Sequence, residues 1–93
     1  MRRSAKIDIN QSEIVSKLRQ IGCSVAVTSS LGKGFPDIVV GYRGVNHLFE
    51  IKNDKMPPSK RKLTAPEKNW MEAWKGSAYV VKNFEECLEI LLR

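Results

Sequence analysis

The sequence predicts an α/β domain with the element order α-β-β-β-α-β-α, and this one domain accounts for residues 1–93. Three observations lead to this fold class. Helix-capping residues precede runs of helically spaced apolar side chains at three places in the chain. Two apolar runs flank the sequence 42–45, which is typical of a tight hairpin turn. Short β-rich segments precede the hairpin and separate the last two helices.

The first predicted helix follows a lead-in of residues 1–9. Asn10 can cap this helix, and Glu13 three residues later would complete a capping box. Gly22 ends the helical pattern. The apolar residues at helical spacing are Ile14, Val15, Leu18 and Ile21.

The hairpin is the most informative part of the chain. It follows a β-rich segment at 23–28 and a loop at 29–34, and its strands are predicted at 38–42 and 45–51. The two residues between these strands, 43–44, form the predicted loop.

Pairing across the hairpin brings two acidic residues together. With a two-residue loop, Tyr42 pairs with Val45. Successive pairs further from the loop then place the first acidic residue reached on one strand opposite the first one reached on the other. These acids are Asp37 and Glu50, and Lys52 shares the face of Glu50 because it lies two residues further on. A solvated ion-pair cluster is one interpretation. Both acids interrupt apolar runs, where an unpaired charge is costly, so we favour a functional site.

The second half of the chain is predicted to hold a loop, a helix, a strand and a helix. Residues 53–62 are polar and basic, which predicts a surface loop. Thr64 caps the next helix, Glu67 completes its capping box, and Gly76 ends it. A short strand at 78–81 follows.

The last helix is capped by Asn83, with Glu86 completing the box. Its inward residues are Phe84, Cys87, Leu88, Leu91 and Leu92. In the preceding helix, Trp70 and Trp74 lie one turn apart, and core packing is the favoured interpretation. A dimer surface is the alternative, because two large aromatic residues can exceed the core of a small domain.

Charge and composition indicate the class of partner. The chain carries 16 Lys and Arg against 10 Asp and Glu, and its net charge of +6 favours a polyanion such as nucleic acid. No long apolar run follows the basic N-terminus, so we expect neither a signal peptide nor a membrane partner, and we expect a cytoplasmic location. Cys23 and Cys87 have no CxxC partner or nearby His, which predicts buried thiols rather than metal ligands or a disulfide.

The acidic pair and Lys52 suit phosphodiester hydrolysis. Two adjacent carboxylates repel each other unless a proton or a cation lies between them, and oxygen ligands select Mg²⁺ or Mn²⁺. Asp37 and Glu50 would bind such a cation, and the carbonyl of Ile51 can add a backbone ligand. Lys52 can orient the attacking water or stabilise negative charge in the transition state.

These motifs resemble those of a known family. Pro36-Asp37 followed after twelve residues by Glu50-Ile51-Lys52 resembles the PD-(D/E)XK nuclease signature. More narrowly, the stretch 34–40, the Glu-x-Lys motif, Leu63-Thr64 and the later Trp70 look like a virus-type replication-repair nuclease (VRR-NUC) domain. The resemblance covers nearly the whole chain.

The resemblance implies a mixed sheet flanked by helices and a Mg²⁺- or Mn²⁺-dependent endonuclease. It further implies branched DNA such as Holliday junctions as substrate, a homodimer, and a stand-alone phage-type enzyme of DNA repair. Glu13 stands where such enzymes often carry a metal-site glutamate, so it is a candidate catalytic helper. Glu67 replaces a usual glutamine, and it either keeps a contact near the site or serves only as a helix cap.

Basic residues near the site are the predicted DNA contacts, and a merely solvated surface is the alternative. These residues are Lys33, Lys55, Lys60, Arg61 and Lys62. A rival function is a non-catalytic basic DNA-binding domain that keeps the nuclease fold. Such a domain would not need Asp37, Glu50 and Lys52 together.

Overall fold

The computed structural model of the protein describes residues 9–53 and 55–93, so most of the predicted lead-in lies outside the described residues. The helices are α1 (Ile9–Gln20), α2 (Pro58–Arg61), α3 (Ala65–Ala73) and α4 (Phe84–Leu91). The strands are β1 (Ser24–Val27), β2 (Ile38–Tyr42), β3 (Val45–Ile51) and β4 (Ala78–Val81). A single 3₁₀ turn, Ser29–Leu31, follows β1.

The strands form one mixed sheet in the order β1-β2-β3-β4. The pairs β1–β2 and β2–β3 are antiparallel, whereas β3–β4 is parallel. A parallel pair needs a crossover connection, and the segment that contains α3 provides it. The predicted α-β-β-β-α-β-α order is therefore confirmed, with helices flanking a mixed sheet.

The hairpin has the predicted register, with Tyr42 paired to Val45. Its two loop residues, Arg43 and Gly44, have φ angles of 53° and 80°. Positive φ at both loop positions belongs to the type I′ turn, whose twist matches that of the flanking strands. The turn thus explains why the register predicted from it is correct as far as the other ends of β2 and β3.

Two local predictions were wrong. The segment 53–62 contains a short helix, α2, rather than only a loop, because Pro58 occupies a first-turn position where its missing N–H costs nothing. Asn10 lies inside α1 and does not cap it. Its side-chain amide instead donates to the carbonyls of Lys52 and Lys82, both at 3.3 Å, and so ties α1 to the ends of β3 and β4.

The main core lies between one face of the sheet and the helices α1 and α4. Its fully buried side chains include Ile14, Leu18, Ile38, Val40, Phe49, Val81 and Cys87. Cys23 and Cys87 are buried free thiols, as predicted. Burial raises the pKa of Cys87 to about 12, so this thiol stays protonated and unreactive. No helix among the described residues is long and apolar enough to cross a membrane.

Candidate active site

Backbone hydrogen bonds on both sides fix Asp37 just before β2. Its N–H donates to the carbonyl of Phe49 at 3.0 Å, and its own carbonyl accepts from the N–H of Thr28 at 2.8 Å. The Thr28 hydroxyl also donates to the carbonyl of Pro36 at 2.7 Å. The Asp37 carboxylate accepts from the N–H of Ile51 through Oδ2 at 2.8 Å. The side chain of Asp37 is therefore held against the end of β3.

Glu50 and Lys52 face away from the main core. Phe49 and Ile51 are buried in that core, so the alternation of a strand turns Glu50 and Lys52 to the opposite face. Glu50 is nevertheless only 4% exposed. Since β2 and β3 keep the predicted register up to Phe49, Asp37 lies beside Glu50. The structure thus brings together the acidic pair and the lysine of the predicted site.

The ammonium group of Lys52 has two carboxylate partners. Its Nζ lies 2.8 Å from Oε1 of Glu67 and 3.6 Å from Oε2 of Glu50. The side chains of Lys52 and Glu67 are 14% and 20% exposed, so water screens this pair less than it screens a pair on the open surface. The nearest charged partner of Lys52 is therefore on α3 and not on its own strand.

Burial and crowding together set the protonation of these carboxylates in the cation-free protein. Burial first, and then the charges of Asp37 and Glu67, raise the pKa of Glu50 to about 9. Burial also raises the pKa of Asp37, although the hydrogen bond from Ile51 opposes this. Burial alone would lower the pKa of Lys52, but its two carboxylate partners outweigh burial and raise it. At neutral pH Glu50 therefore keeps a proton, and Lys52 is charged.

The free energy of unfolding of the cation-free protein is expected to fall as the pH rises from about 5 to about 9. Glu50 has an ordinary pKa of 4.5 and a folded-state pKa of about 9, so over this interval the folded protein keeps a proton that the unfolded chain releases. Urea unfolding in EDTA across this interval measures the slope.

Glu50→Gln should remove most of that slope, whereas Glu89→Gln, at an exposed position of α4, should leave it unchanged. A free energy of unfolding that is flat or rises with pH in the wild-type protein would contradict the assigned environment of Glu50.

The donor set at this position fits a hard divalent cation. Buried Glu50 and half-buried Asp37 supply two adjacent carboxyl groups. A cation between them would relieve their mutual repulsion and take the place of the proton on Glu50. The N–H of Ile51 points to Asp37. Because the N–H and C=O of a strand residue point the same way, the Ile51 carbonyl faces that side too. No group of three His, Cys, Asp or Glu side chains suited to a metal occurs among the described residues, so other ligands would be backbone, water or phosphate oxygens.

Glu67 is the member of the site whose role the sequence left open between a contact and a cap, and it does both. Thr64 and Glu67 form a complete capping box at the start of α3. Glu67 also contacts Lys52. Burial alone would raise the pKa of the Glu67 carboxyl, but hydrogen bonds with Lys52, Thr64 and Glu50 and the charge of Lys52 together outweigh burial and lower it. In the sequence, the signal for the contact with Lys52 was that a glutamate stands at position 67, where the family usually has a glutamine.

Glu13 is not brought to the acidic pair. It is exposed on α1, in a groove of about 490 Å³ whose lining includes Lys17, Lys55 and Lys82 but neither Asp37 nor any residue of the Glu-x-Lys motif. The predicted capping box between Asn10 and Glu13 is absent as well, because Asn10 is already helical. Side chains of α1 that do reach neighbouring segments include Asn10, and Gln11, which donates to the Ser29 hydroxyl at 2.9 Å.

The predicted DNA contacts lie on two surface segments. Lys33 is exposed in the loop before β2. Lys55, Lys60 and Lys62 are exposed around α2, and Arg61 is half-buried there. All four of these residues lie in the segment that leads from the site strand to α3.

Trp70 and Trp74 do not pack in the core, contrary to the favoured prediction. Their rings stack at 4.6 Å between centroids, and Phe35 meets the ring of Trp70 edge-on at 5.2 Å. No residue of α3 is buried, and Trp74 is 43% exposed. These three rings form a partly exposed aromatic cluster between α3 and the loop before β2.

Comparison with known proteins bears on the fold. No protein-family model and no curated protein matches this sequence. A solved structure described as "VRR_NUC domain" is similar to this chain, with a TM-score of 0.64 and 21% sequence identity. The similarity covers 89% of this chain and 90% of that one. The chain therefore has the fold of a VRR-NUC domain, as its sequence motifs predicted.

Proposed function

We propose that this protein is a Mg²⁺- or Mn²⁺-dependent DNA endonuclease that hydrolyses phosphodiester bonds. The observation that carries the proposal is the acidic pair of half-buried Asp37 and buried Glu50, with the ammonium of Lys52 3.6 Å from Glu50. Structural or solubilising charges have no need of two adjacent carboxyl groups, one of which keeps a proton because it is buried and because the other lies beside it. The nuclease-type fold and the net charge of +6 add support for a DNA substrate.

The proposed roles follow from the contacts. Asp37, Glu50 and the carbonyl of Ile51 would hold the cation, and Asp37 is oriented for this by the N–H of Ile51. When bound, the cation would polarise the scissile phosphate and stabilise the charge that develops on its oxygens. Lys52 is held in its charged form by Glu67 and Glu50, so it acts as a hydrogen-bond donor to phosphate or water rather than as a base.

Branched DNA, such as a Holliday junction, is the proposed substrate, and a homodimer is the proposed active form. A two-fold dimer would present two sites to a symmetric junction. The aromatic cluster of Phe35, Trp70 and Trp74 offers a partly exposed apolar surface for a second copy. A phage-type role in DNA repair in the host cytoplasm belongs to the same proposal and rests on the family resemblance.

Cleavage of a labelled four-way junction tests this function. Mg²⁺ or Mn²⁺ should give paired nicks at symmetric positions, EDTA should abolish them, and a linear duplex of the same sequence should be cut more slowly. Binding without cation-dependent nicking of either DNA would instead support a non-catalytic DNA-binding domain. Nicking of only one strand would contradict the proposed homodimer but would still support the proposed endonuclease activity.

Arg61→Ala is expected to weaken DNA binding and to reduce its salt dependence. Arg61 lies on α2 beside the exposed Lys60 and Lys62, and each lost phosphate contact lowers the slope of log affinity against log salt by about 0.9 for duplex DNA. Arg43→Ala is the matched control, because Arg43 lies in the hairpin turn at the other end of β2 and β3. Fluorescence anisotropy across a salt series gives both slopes. Equal slopes for the two variants would rule out a phosphate contact by Arg61.

A further inference from the structure

One oxygen of Glu67 links the start of α3 to the proposed active site. Its Oε1 accepts from Nζ of Lys52 at 2.8 Å and from the N–H of Thr64 at 2.9 Å. The Thr64 hydroxyl accepts in return from the N–H of Glu67 at 3.3 Å. The side chain of Glu67 is therefore fixed at its base by the helix cap and at its tip by the lysine.

The first turn of α3 is itself fixed against the segment that carries Asp37. Gly34, three residues before Asp37, has a φ of +83°, and a Cβ there would collide with the carbonyl of Pro66. Pro66 immediately precedes Glu67 in the first turn of α3. This close backbone approach sets the position of Glu67 relative to the acidic pair.

Lys52 lies between two acidic side chains, and which of them holds its ammonium matters for a cation site. Its Nζ is 2.8 Å from Glu67 but 3.6 Å from Glu50. An ammonium held tightly by Glu50 would occupy the carboxylate that a divalent cation needs. Without the Glu67 carboxylate, the Lys52 ammonium would be free to move toward Glu50, its other acidic neighbour.

We propose that Glu67 is a positioning residue that draws the Lys52 ammonium away from Glu50 and thereby leaves Glu50 free for the cation. The inference rests on the proposed function, because it assumes a cation between Asp37 and Glu50. It gives the helix cap of α3 a second role, since the same hydrogen bonds that start the helix also orient the carboxylate that holds Lys52.

Mn²⁺ binding without DNA, followed by electron paramagnetic resonance of the free ion, tests this role. Glu67→Ala should weaken Mn²⁺ binding about tenfold, the lower end of what the loss of a residue supporting a metal ligand costs. Glu67→Gln should restore most of the affinity, because an amide oxygen still accepts from Lys52 and Thr64. On junction DNA, Glu67→Ala should lower kcat at fixed cation concentration with little change in KM.

Glu86 provides a matched control within the chain. It is an N-terminal glutamate of α4, its N–H donates to Oδ1 of Asn83 at 2.8 Å, and its carboxylate accepts from the N–H of Lys82 at 2.7 Å. Glu86→Ala should therefore perturb a helix start in the same way as Glu67→Ala but leave Mn²⁺ affinity unchanged. Circular dichroism of both variants verifies that the fold is retained.

Repeating the Glu67 substitution in a protein that lacks the Lys52 ammonium shows whether Glu67 acts through that lysine. In Lys52→Met, adding Glu67→Ala should cause no further loss of Mn²⁺ affinity. An equal loss in both backgrounds would mean that Glu67 acts directly on the cation and would overturn the inference. Equal Mn²⁺ uptake by the wild-type protein and Glu67→Ala would also overturn it. No uptake by the wild-type protein would overturn the proposed function itself.

Discussion

Asp37→Asn is expected to abolish cation-dependent cleavage, lowering the rate by at least about a thousandfold, since loss of the bound cation removes several kcal/mol of transition-state stabilisation. The substitution preserves the shape of the side chain. The Asn oxygen can still accept the hydrogen bond that the N–H of Ile51 donates to Oδ2 of Asp37 in the wild-type protein. The fold should therefore survive while the negative charge needed for the cation is lost. Single-turnover cleavage of a labelled junction at saturating protein measures the effect.

Glu89→Gln is the control for loss of an acidic charge, because Glu89 is exposed on α4. It should cleave at the wild-type rate. Binding of the junction by Asp37→Asn in EDTA should equal or exceed that of the wild-type protein, since a negative charge facing phosphate has been removed. An Asp37→Asn protein that retained a rate within tenfold of the wild-type rate would exclude Asp37 from the chemistry.

Lys52→Met is expected to lower kcat by about a hundredfold or more, which is the usual cost of removing one preorganised donor from a transition state. Methionine keeps the unbranched apolar part of the side chain, so packing near Glu67 and Glu50 should change little. Junction affinity should change much less than kcat, because one phosphate contact among several contributes modestly to binding. Single-turnover rates and anisotropy titrations separate the two effects.

Lys82→Met is the matched control for this change. Lys82 directly follows β4 just as Lys52 follows β3, both carbonyls accept from Asn10, and Lys82 also pairs with a glutamate, Glu86, at 3.6 Å. Its replacement should leave kcat unaltered. If the two variants lowered kcat equally, Lys52 would have no special role in the reaction.

The parts of the fold that the sequence predicted correctly are those encoded locally. The register of β2 and β3 depends on Arg43-Gly44, whose positive φ angles permit a two-residue turn, and everything further along the hairpin follows by alternation. The capping box of α3 likewise involves residues only three apart, Thr64 and Glu67.

Apart from the short helix α2, whose first-turn proline is a local signal, the predictions that failed depend on contacts between distant segments. Asn10 has the chemistry of a cap, but its amide is used by the carbonyls of Lys52 and Lys82 far along the chain. Trp70 and Trp74 have core-like spacing, yet α3 buries none of its residues. No local pattern reports which face of a helix the rest of the chain will cover.

The candidate site shows the same division. Asp37 and Glu50 could be paired from the hairpin alone, because both strands belong to one local unit. The contact of Lys52 with Glu67 could not, because it joins β3 to a helix whose position depends on the close approach of Gly34 to Pro66. Sequence motifs therefore located the acidic pair, while tertiary structure was needed to find the group that positions the lysine.

Isothermal titration of Mg²⁺ or Mn²⁺ at neutral pH, in buffers of different ionisation enthalpy, tests most directly whether the acidic pair binds a cation. Since the pKa of Glu50 is about 9 without a cation, binding should release about one proton per protein, and Asp37→Asn should abolish both the heat and the release. Absence of binding, or binding that Asp37→Asn leaves intact, would contradict a cation site between Asp37 and Glu50.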